Sequence, residues 1–433
     1  MASVLRRAKG REGVKGLLFV LASPAALVVW WYFPMLLIYE MVPGTWFSTA
    51  FGEPKIFSSW GYAYSVFLLL LFAIGGVIGS RVLSDIPSSQ TRSDRVLTHR
   101  LPRWYIRGGL MVSLFAYMIW FGFGIYRAGG IESLWALYLQ NPFYVKFVLL
   151  KTLPGITTLT QVAVVALPLV LCCYKPRRFD WFMVGVILIL AAVRSFLYSE
   201  RLALLELAIP LVFIIALRQR FTWSRTVRFG IAFLAMIITF FIISEAKRSF
   251  VYYGVTSLRD VAMVGFIRFW GYYLTSINNM FLIFEHFSLV APFYNTFSFI
   301  WKFPLLKGVY EALTGFSPIN MPMILASSGL NPEFNTATTL GALVVDFGLL
   351  GAVLATFSLG GISGFLYGLS RRGGIWLAFY SVWLVGLLEF MRIYFFFTTR
   401  LFPAYLFFLG AVVLLQYTKS SVGHSMGTRG DAP

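Results

Sequence analysis

Hydrophobic residues in this chain come in uninterrupted runs of roughly 20, the length that carries an α-helix across a hydrocarbon slab about 30 Å thick. Ten such runs predict spanning helices at about 17–39, 60–80, 104–126, 155–173, 181–198, 202–217, 229–244, 337–369, 375–397 and 401–417. The eighth run is longer than one span, which predicts a short helix dipping in from the outer side before the full crossing. The pattern as a whole predicts an all-α polytopic integral membrane protein, with 1–433 forming a single transmembrane domain.

The connections orient the spans, because cytoplasmic loops carry an excess of Lys and Arg. With the N-terminus inside, 22 of the 36 basic residues fall on the cytoplasmic side, including the cluster Arg6 to Lys15, Arg81 to Arg107, Lys175, Arg177, Arg178, Arg371 and Arg372. Every alternate connection obeys the rule, and both termini then lie inside. The polar tail 418–433 is expected to be disordered. Outside lie loops at 40–59 and 127–154, a tight hairpin at 198–201, and one large loop at 245–336. That large loop is rich in aromatics and only half polar, which suits helices lying in the headgroup layer. A connection this long implies a function.

Composition agrees with this picture. Apolar residues make up 59% of 433 positions and charged residues 12%, too little charge to cover the surface of a soluble domain. The net charge of +19 is accounted for by the orienting loops and by affinity for anionic membrane lipids, so nucleic acid is not expected as a partner. The adjacent Cys172 and Cys173 cannot staple distant loops and read as small apolar filler. The first apolar run is long enough to span, so it reads as retained rather than as a cleaved signal.

Ionisable residues inside spans are costly and usually mark a pathway or site. Here they gather toward one end: Arg194 late in the fifth span, Arg201 and Glu206 opening the sixth, Asp346 early in the eighth, and Glu389 with Arg392 late in the ninth. At 1.5 Å per residue Glu389 lies roughly 21 Å from the inner start of its span, and Asp346 roughly 12 Å below the outer surface. A conduit needs polar groups along the whole path, so this distribution describes instead a bowl opening outward above an apolar floor. For several of these residues a plain structural reading stands beside the functional one. Glu389 and Arg392, three apart on one helix face, also fit a neutralised intrahelical pair, and Arg201 fits a snorkelling interfacial anchor. Gly75 and Gly79, and the series Gly360, Gly364, Gly368, read as close helix packing.

The candidate chemistry follows from what is missing and what remains. No metal-ligand spacing, phosphate-binding Gly-Lys-Ser/Thr loop, nucleophile elbow or dinucleotide fingerprint occurs, so neither a metal nor another cofactor is expected. What remains is arginine on the outer side: Arg194, Arg201, Arg248 beside Lys247, Arg259, Arg268, Arg392 and Arg400. Guanidinium forks bind phosphate oxygens bidentately, and neighbouring aromatics can stack on sugar rings or pack against lipid chains. A lipid-linked pyrophosphate carrying a glycan fits both features.

Three segments carry a family resemblance. Asn335-Thr336-Ala337-Thr338-Thr339 followed by Asp346-Phe347-Gly348-Leu349-Leu350-Gly351 resembles the Asn-Thr…Thr…Asp-Phe-Gly…Gly signature of oligosaccharide repeat-unit polymerases, the Wzy-type O-antigen and exopolysaccharide polymerases. Ser199-Glu200-Arg201-Leu202-Ala203-Leu204-Leu205 is similar to that family's Arg hairpin, although the usual Gly after the Arg is absent. Tyr273-Leu274-Thr275-Ser276 with Asn278 and Asn279 resembles its Tyr-x-x-Ser…Asn segment. The resemblance covers roughly 190–365 and the order of parts matches, while the related O-antigen ligases stay open as an alternative.

The resemblance implies a membrane glycosyltransferase of GT-C-like architecture in the bacterial inner membrane. Such an enzyme joins undecaprenyl-pyrophosphate-linked repeat units at the outer leaflet and releases undecaprenyl pyrophosphate, with a chain-length regulator protein as a further partner. Arg201 and Arg248 are the first candidates for stabilising charge on the leaving pyrophosphate. Arg194, Lys247, Arg268 and Arg392 are candidates for binding substrate, together with Tyr273, Asn279, Asn335 and Thr336. Glu200, Glu389, Asp346 and His286 compete for the role of base. Asp346, followed by Phe-Gly, alternatively orients the loop by accepting backbone amides. A transporter of lipid-linked saccharide is the rival from another class, but it would need charge through the bilayer centre and two related halves.

Overall fold

The computed structural model describes residues 16–82, 101–141, 144–153, 155–198, 202–218, 228, 235, 239, 257–286, 291–301, 308–316 and 321–427. Among these residues every regular element is a helix. The long ones are α1 (Pro24–Met41), α2 (Ser59–Arg81), α3 (Arg103–Ala128), α4 (Ile156–Cys173), α5 (Arg178–Tyr198), α6 (Leu202–Arg218), α7 (Leu258–Glu285), α8 (Thr339–Ser370), α9 (Gly374–Leu388) and α10 (Phe402–Gly427). Six of them, α1 to α5 and α8, are long and apolar enough to cross a membrane. α9 and the Phe402–Tyr417 part of α10 are apolar but shorter. The expected span at 229–244 lies, apart from single positions, outside the described residues.

The chain divides into two compact units: 1–85, 215–368 and 383–399 form the first, and 86–214, 369–382 and 400–433 the second. Outward-facing positions are apolar, as at Leu350 (87% exposed), Leu354 (71%) and Phe115 (63%), which suits a surface solvated by lipid chains.

In the first unit the expected first span, 17–39, is interrupted at Ser23. Ser23 accepts the Ala26 amide through Oγ, and Pro24 occupies the first turn of α1, a start that needs no N–H there. Pro34 then leaves the Trp30 carbonyl without its usual donor. The turn ahead of it, Val28–Tyr32, widens into a π-helix in which the Phe33 amide reaches back to Val28 O.

α2 packs on α8 through glycine. A Cβ on Gly79 would stand 2.0 Å from Gly361 O, and one on Gly364 would stand 2.0 Å from Gly76 O. No side chain fits between these backbones, so the four-residue spacing has its packing meaning.

α8 begins at Thr339 and breaks at Gly348, whose φ of 68° and ψ of 178° leave the helix. The expected long eighth region is thus two helical pieces joined at a residue whose φ favours glycine.

The expected ninth span, 375–397, is shorter than predicted: α9 stops at Leu388, and the chain continues in turns through Arg400. The reason lies in where the carbonyls go. Leu387 O accepts the Tyr32 hydroxyl and Leu388 O accepts Trp31 Nε1, both from α1. Phe390 O accepts the Thr339 amide, and Ile393 O accepts Thr339 Oγ1. Side chains and the start of α8 satisfy the orphan carbonyls of the helix end, so continuing the helix gains nothing there.

In the second unit α4 is buried along nearly its whole length, packed by α3 and α10. Cys172 and Cys173 are buried at its end and not disulfide-bonded. α10 is also longer than expected: the tail predicted to be disordered from 418 is helical through Gly427.

Candidate functional site

The first unit gathers polar side chains on the face of α7 that meets the 331–339 and 389–393 segments. Tyr273 lies 3.4 Å through its hydroxyl from Glu389 Oε1, and Arg392 Nη1 lies 2.7 Å from Glu389 Oε2. The pair therefore forms as expected, but across a turn rather than along a helix face. One helical turn further along, Ser276 Oγ and Thr336 Oγ1 are 2.7 Å apart. Asn279 Nδ2 donates to Phe334 O and Thr336 O, while its buried Oδ1 has no partner among the described residues. The spacing 272–273, 276, 279 places these groups on one side of α7, as the helical repeat requires.

Rings and guanidinia form a continuous row beside these groups. Arg392 lies over Tyr272 at 5.2 Å, Tyr272 meets Phe334 edge-on at 5.3 Å, and Arg268 lies over Phe334 at 5.6 Å. Arg268 is paired with Glu333, as Arg392 is with Glu389. Trp31 packs edge-on to Tyr273 at 5.8 Å. Each cation faces a ring and a carboxylate, which fixes its position in a poorly solvated setting.

Asn278, next to Asn279, points to a different partner. Its Oδ1 accepts from the Tyr39 hydroxyl and the Ile56 amide, and its Nδ2 donates to Pro54 O and Glu53 Oε1. Glu53 Oε2 accepts the Asn331 amide at 3.0 Å. Burial pushes the Glu53 carboxyl up to about 7, against the opposing effect of its hydrogen bonds to Asn331 and Asn278. The 53–56 connection is thereby tied to α7 and to the segment that leads into Thr336.

Asp346 serves the loop rather than an open site. Its oxygens accept the Asn295 amide at 2.9 Å, Asn295 Nδ2 at 2.9 Å and the Thr296 amide at 2.6 Å. The Ala291 amide adds a bond to Val345 O. Of the two roles open to Asp346 in the sequence, the geometry matches the one that orients backbone.

In the second unit, buried Arg194 lies over Trp120 at 5.0 Å and donates to Thr160 Oγ1 at 3.1 Å. Buried Glu206 is 2.7 Å from Arg400 Nε. Arg194 thus belongs to a polar cluster of its own unit. Asn335 is exposed. Glu200, Arg201, Lys247 and Arg248 lie outside the described residues. Among the described residues no group of three His, Cys, Asp or Glu side chains could hold a metal.

Sequence reasoning missed Trp31, Glu53, Tyr272 and Glu333 as members of the first-unit network. A lone Glu in a short connection and a Tyr in an aromatic-rich helix carry no local signal. Only the fold brings them to the motif residues. It also missed Asp180, which is buried at the start of α5 with Arg107 Nε 2.7 Å away.

Together these features define a multi-span helical membrane protein with a carboxylate–guanidinium–aromatic site in its first unit. No family model, curated protein or solved structure matches the chain.

Proposed function

We propose that the protein is a polymerase of lipid-linked oligosaccharide repeat units, working at the outer leaflet of a bacterial inner membrane with both termini in the cytoplasm. In this reading the full chain has about ten spans, a large outer loop at 245–336 and a GT-C-like arrangement. One observation carries it: segments that resemble the polymerase family and are distant in sequence meet through specific hydrogen bonds. Ser276 Oγ bonds Thr336 Oγ1, and Asn279 donates to the Thr336 and Phe334 carbonyls.

In the reaction an acceptor sugar hydroxyl attacks the anomeric carbon of the donor chain. The new C–O bond forms as the bond to the pyrophosphate oxygen breaks, and the hydroxyl proton passes to a carboxylate. Glu389 takes that proton, held in place by Arg392 and Tyr273. Half-buried Tyr272, held against Phe334 and under Arg392, is the ring of this row placed to meet a sugar beside a cation suited to phosphate oxygens. Arg201 and Arg248 stabilise charge on the leaving pyrophosphate, each worth about 3–4 kcal/mol in the transition state.

Purified protein in lipid nanodiscs, given only undecaprenyl-pyrophosphate-linked repeat units, should extend them into longer chains. Glu389→Gln and Arg201→Ala should each lower the rate by roughly 100-fold or more without loss of folded protein. Transfer only to a different acceptor would make the protein a ligase, and movement of the lipid without new bonds would make it a transporter. Either result overturns the polymerase reading.

A further inference from the structure

At the end of the second unit opposite to Arg127, a single buried carboxylate ties together a corner rich in basic residues. Asp180, in the first turn of α5, receives Arg107 Nε at 2.7 Å, the Tyr174 hydroxyl at 2.8 Å and the Arg177 amide at 2.7 Å. A backbone bond from Leu101 N to Cys173 O closes the same corner. The Asp180 contacts lock the connection between α4 and α5 onto the first turns of α3.

The consequence is a fixed basic surface. Arg103 on α3, Lys175 and Arg177 in the locked connection and Arg178 at the start of α5 are all exposed, while Asp180 is fully occupied within. Flanking them are Trp104, 67% exposed, and Trp181, 49% exposed, at the ends of two helices apolar enough to span a membrane. Indole rings bordering apolar helix ends occupy headgroup depth, where amphipathic rings are at home. Cations at that depth face phosphodiesters rather than bulk water, and among the described residues the carboxylate at this corner, Asp180, is already paired with Arg107.

We infer that this corner is a binding site for the headgroup of an anionic phospholipid, with Arg103, Lys175, Arg177 and Arg178 holding the phosphate and Trp104 and Trp181 bracketing the glycerol and upper chains. The site is independent of the glycosyl-transfer reading. Asp180 acts as its positioning residue: it holds no lipid itself but keeps the loop cations beside those of α3. An ordinary positive loop would attract anionic lipid diffusely, whereas this arrangement retains individual molecules.

The test is native mass spectrometry of the full-length protein released from micelles with dioleoyl phosphatidylglycerol or dioleoyl phosphatidylcholine, counting retained lipids. Wild type should retain phosphatidylglycerol in preference to phosphatidylcholine. At roughly 5-fold per cation, R177Q/R178Q and R103Q/K175Q should each weaken retention by about 25-fold. Arg127→Gln, roughly 36 Å away at the other end of α3, should leave it unchanged. Asp180→Asn should weaken retention while the four cations remain, and a melting curve alongside shows that the variant is folded. Equal retention by wild type and both double variants would overturn the proposal. So would equal loss in Arg127→Gln, which would mean diffuse charge. Competition by inorganic phosphate at concentrations matching the lipid would assign the corner to soluble anions and overturn it too.

Discussion

Replacing Gly364 with Ala places one methyl group where the structure has no room. Its Cβ would stand 2.0 Å from Gly76 O, 2.7 Å from Gly76 C and 2.9 Å from Gly76 Cα, all backbone atoms. An ordinary contact needs about 3.4 Å or more, so α2 and α8 must move apart by more than an ångström locally. A gap of 0.5–1 Å already forfeits a quarter to a half of each van der Waals well, and overpacking of this kind costs about 1–3 kcal/mol. Because backbone is the obstacle on both sides, no rotamer change relieves it, and the upper half of that range applies. Gly122→Ala in α3 is the matched control: nothing lies within 4 Å of its added methyl, so it loses only glycine's conformational entropy and gains about 0.5–1 kcal/mol. Thermal unfolding in detergent, followed by the loss of the monodisperse peak in size exclusion, should show Gly364→Ala melting several degrees below wild type and Gly122→Ala at or above it. Gly79→Ala should resemble Gly364→Ala, and the pair should be less than additive because one separation serves both. Melting of Gly364→Ala at the wild-type temperature would refute the backbone-contact account of this interface.

Asp346→Asn replaces an acceptor of three amide hydrogen bonds with a group that presents its own donor to them; it should cost about 1–3 kcal/mol and speed amide hydrogen exchange at Asn295 and Thr296 selectively. If Asp346 were instead only a proton acceptor, activity would fall with exchange unchanged. Glu53, with its carboxyl raised from 4.5 to about 7, holds its proton in the folded state after the unfolded chain has lost it. Its contribution is therefore complete below about pH 4.5, falls as pH rises toward about 7 and is flat above, a change on the order of 3 kcal/mol. Melting temperature against pH should show that slope in wild type and lose it in Glu53→Gln; an unchanged slope would exclude Glu53 as its source. Trp31→Phe keeps the ring beside Tyr273 but deletes the donor to Leu388 O, and should destabilise by about 1 kcal/mol, read as a lower melting temperature.

The amino-acid sequence determined the class of this protein. Runs of apolar residues long enough to cross a bilayer can only be satisfied as helices, because lipid offers the backbone no partners. The six helices long and apolar enough to cross a membrane coincide with runs read from hydropathy, and the four-residue glycine spacing announced a close helix contact. The pairing of Glu389 with Arg392 was legible too, since residues three apart meet in a helix or a turn alike.

Tertiary structure alone decided where α9 ends and what surrounds the site. Nothing local to Phe390 or Ile393 says that their carbonyls are claimed by Thr339, or that Trp31 and Tyr32 cap the helix from another span. The same holds for Glu53 under Asn278 and for the row from Arg392 through Tyr272 and Phe334 to Arg268. Hydropathy and spacing report how each segment meets its solvent. A buried polar group answers to partners hundreds of residues away, and only the packed chain chooses them.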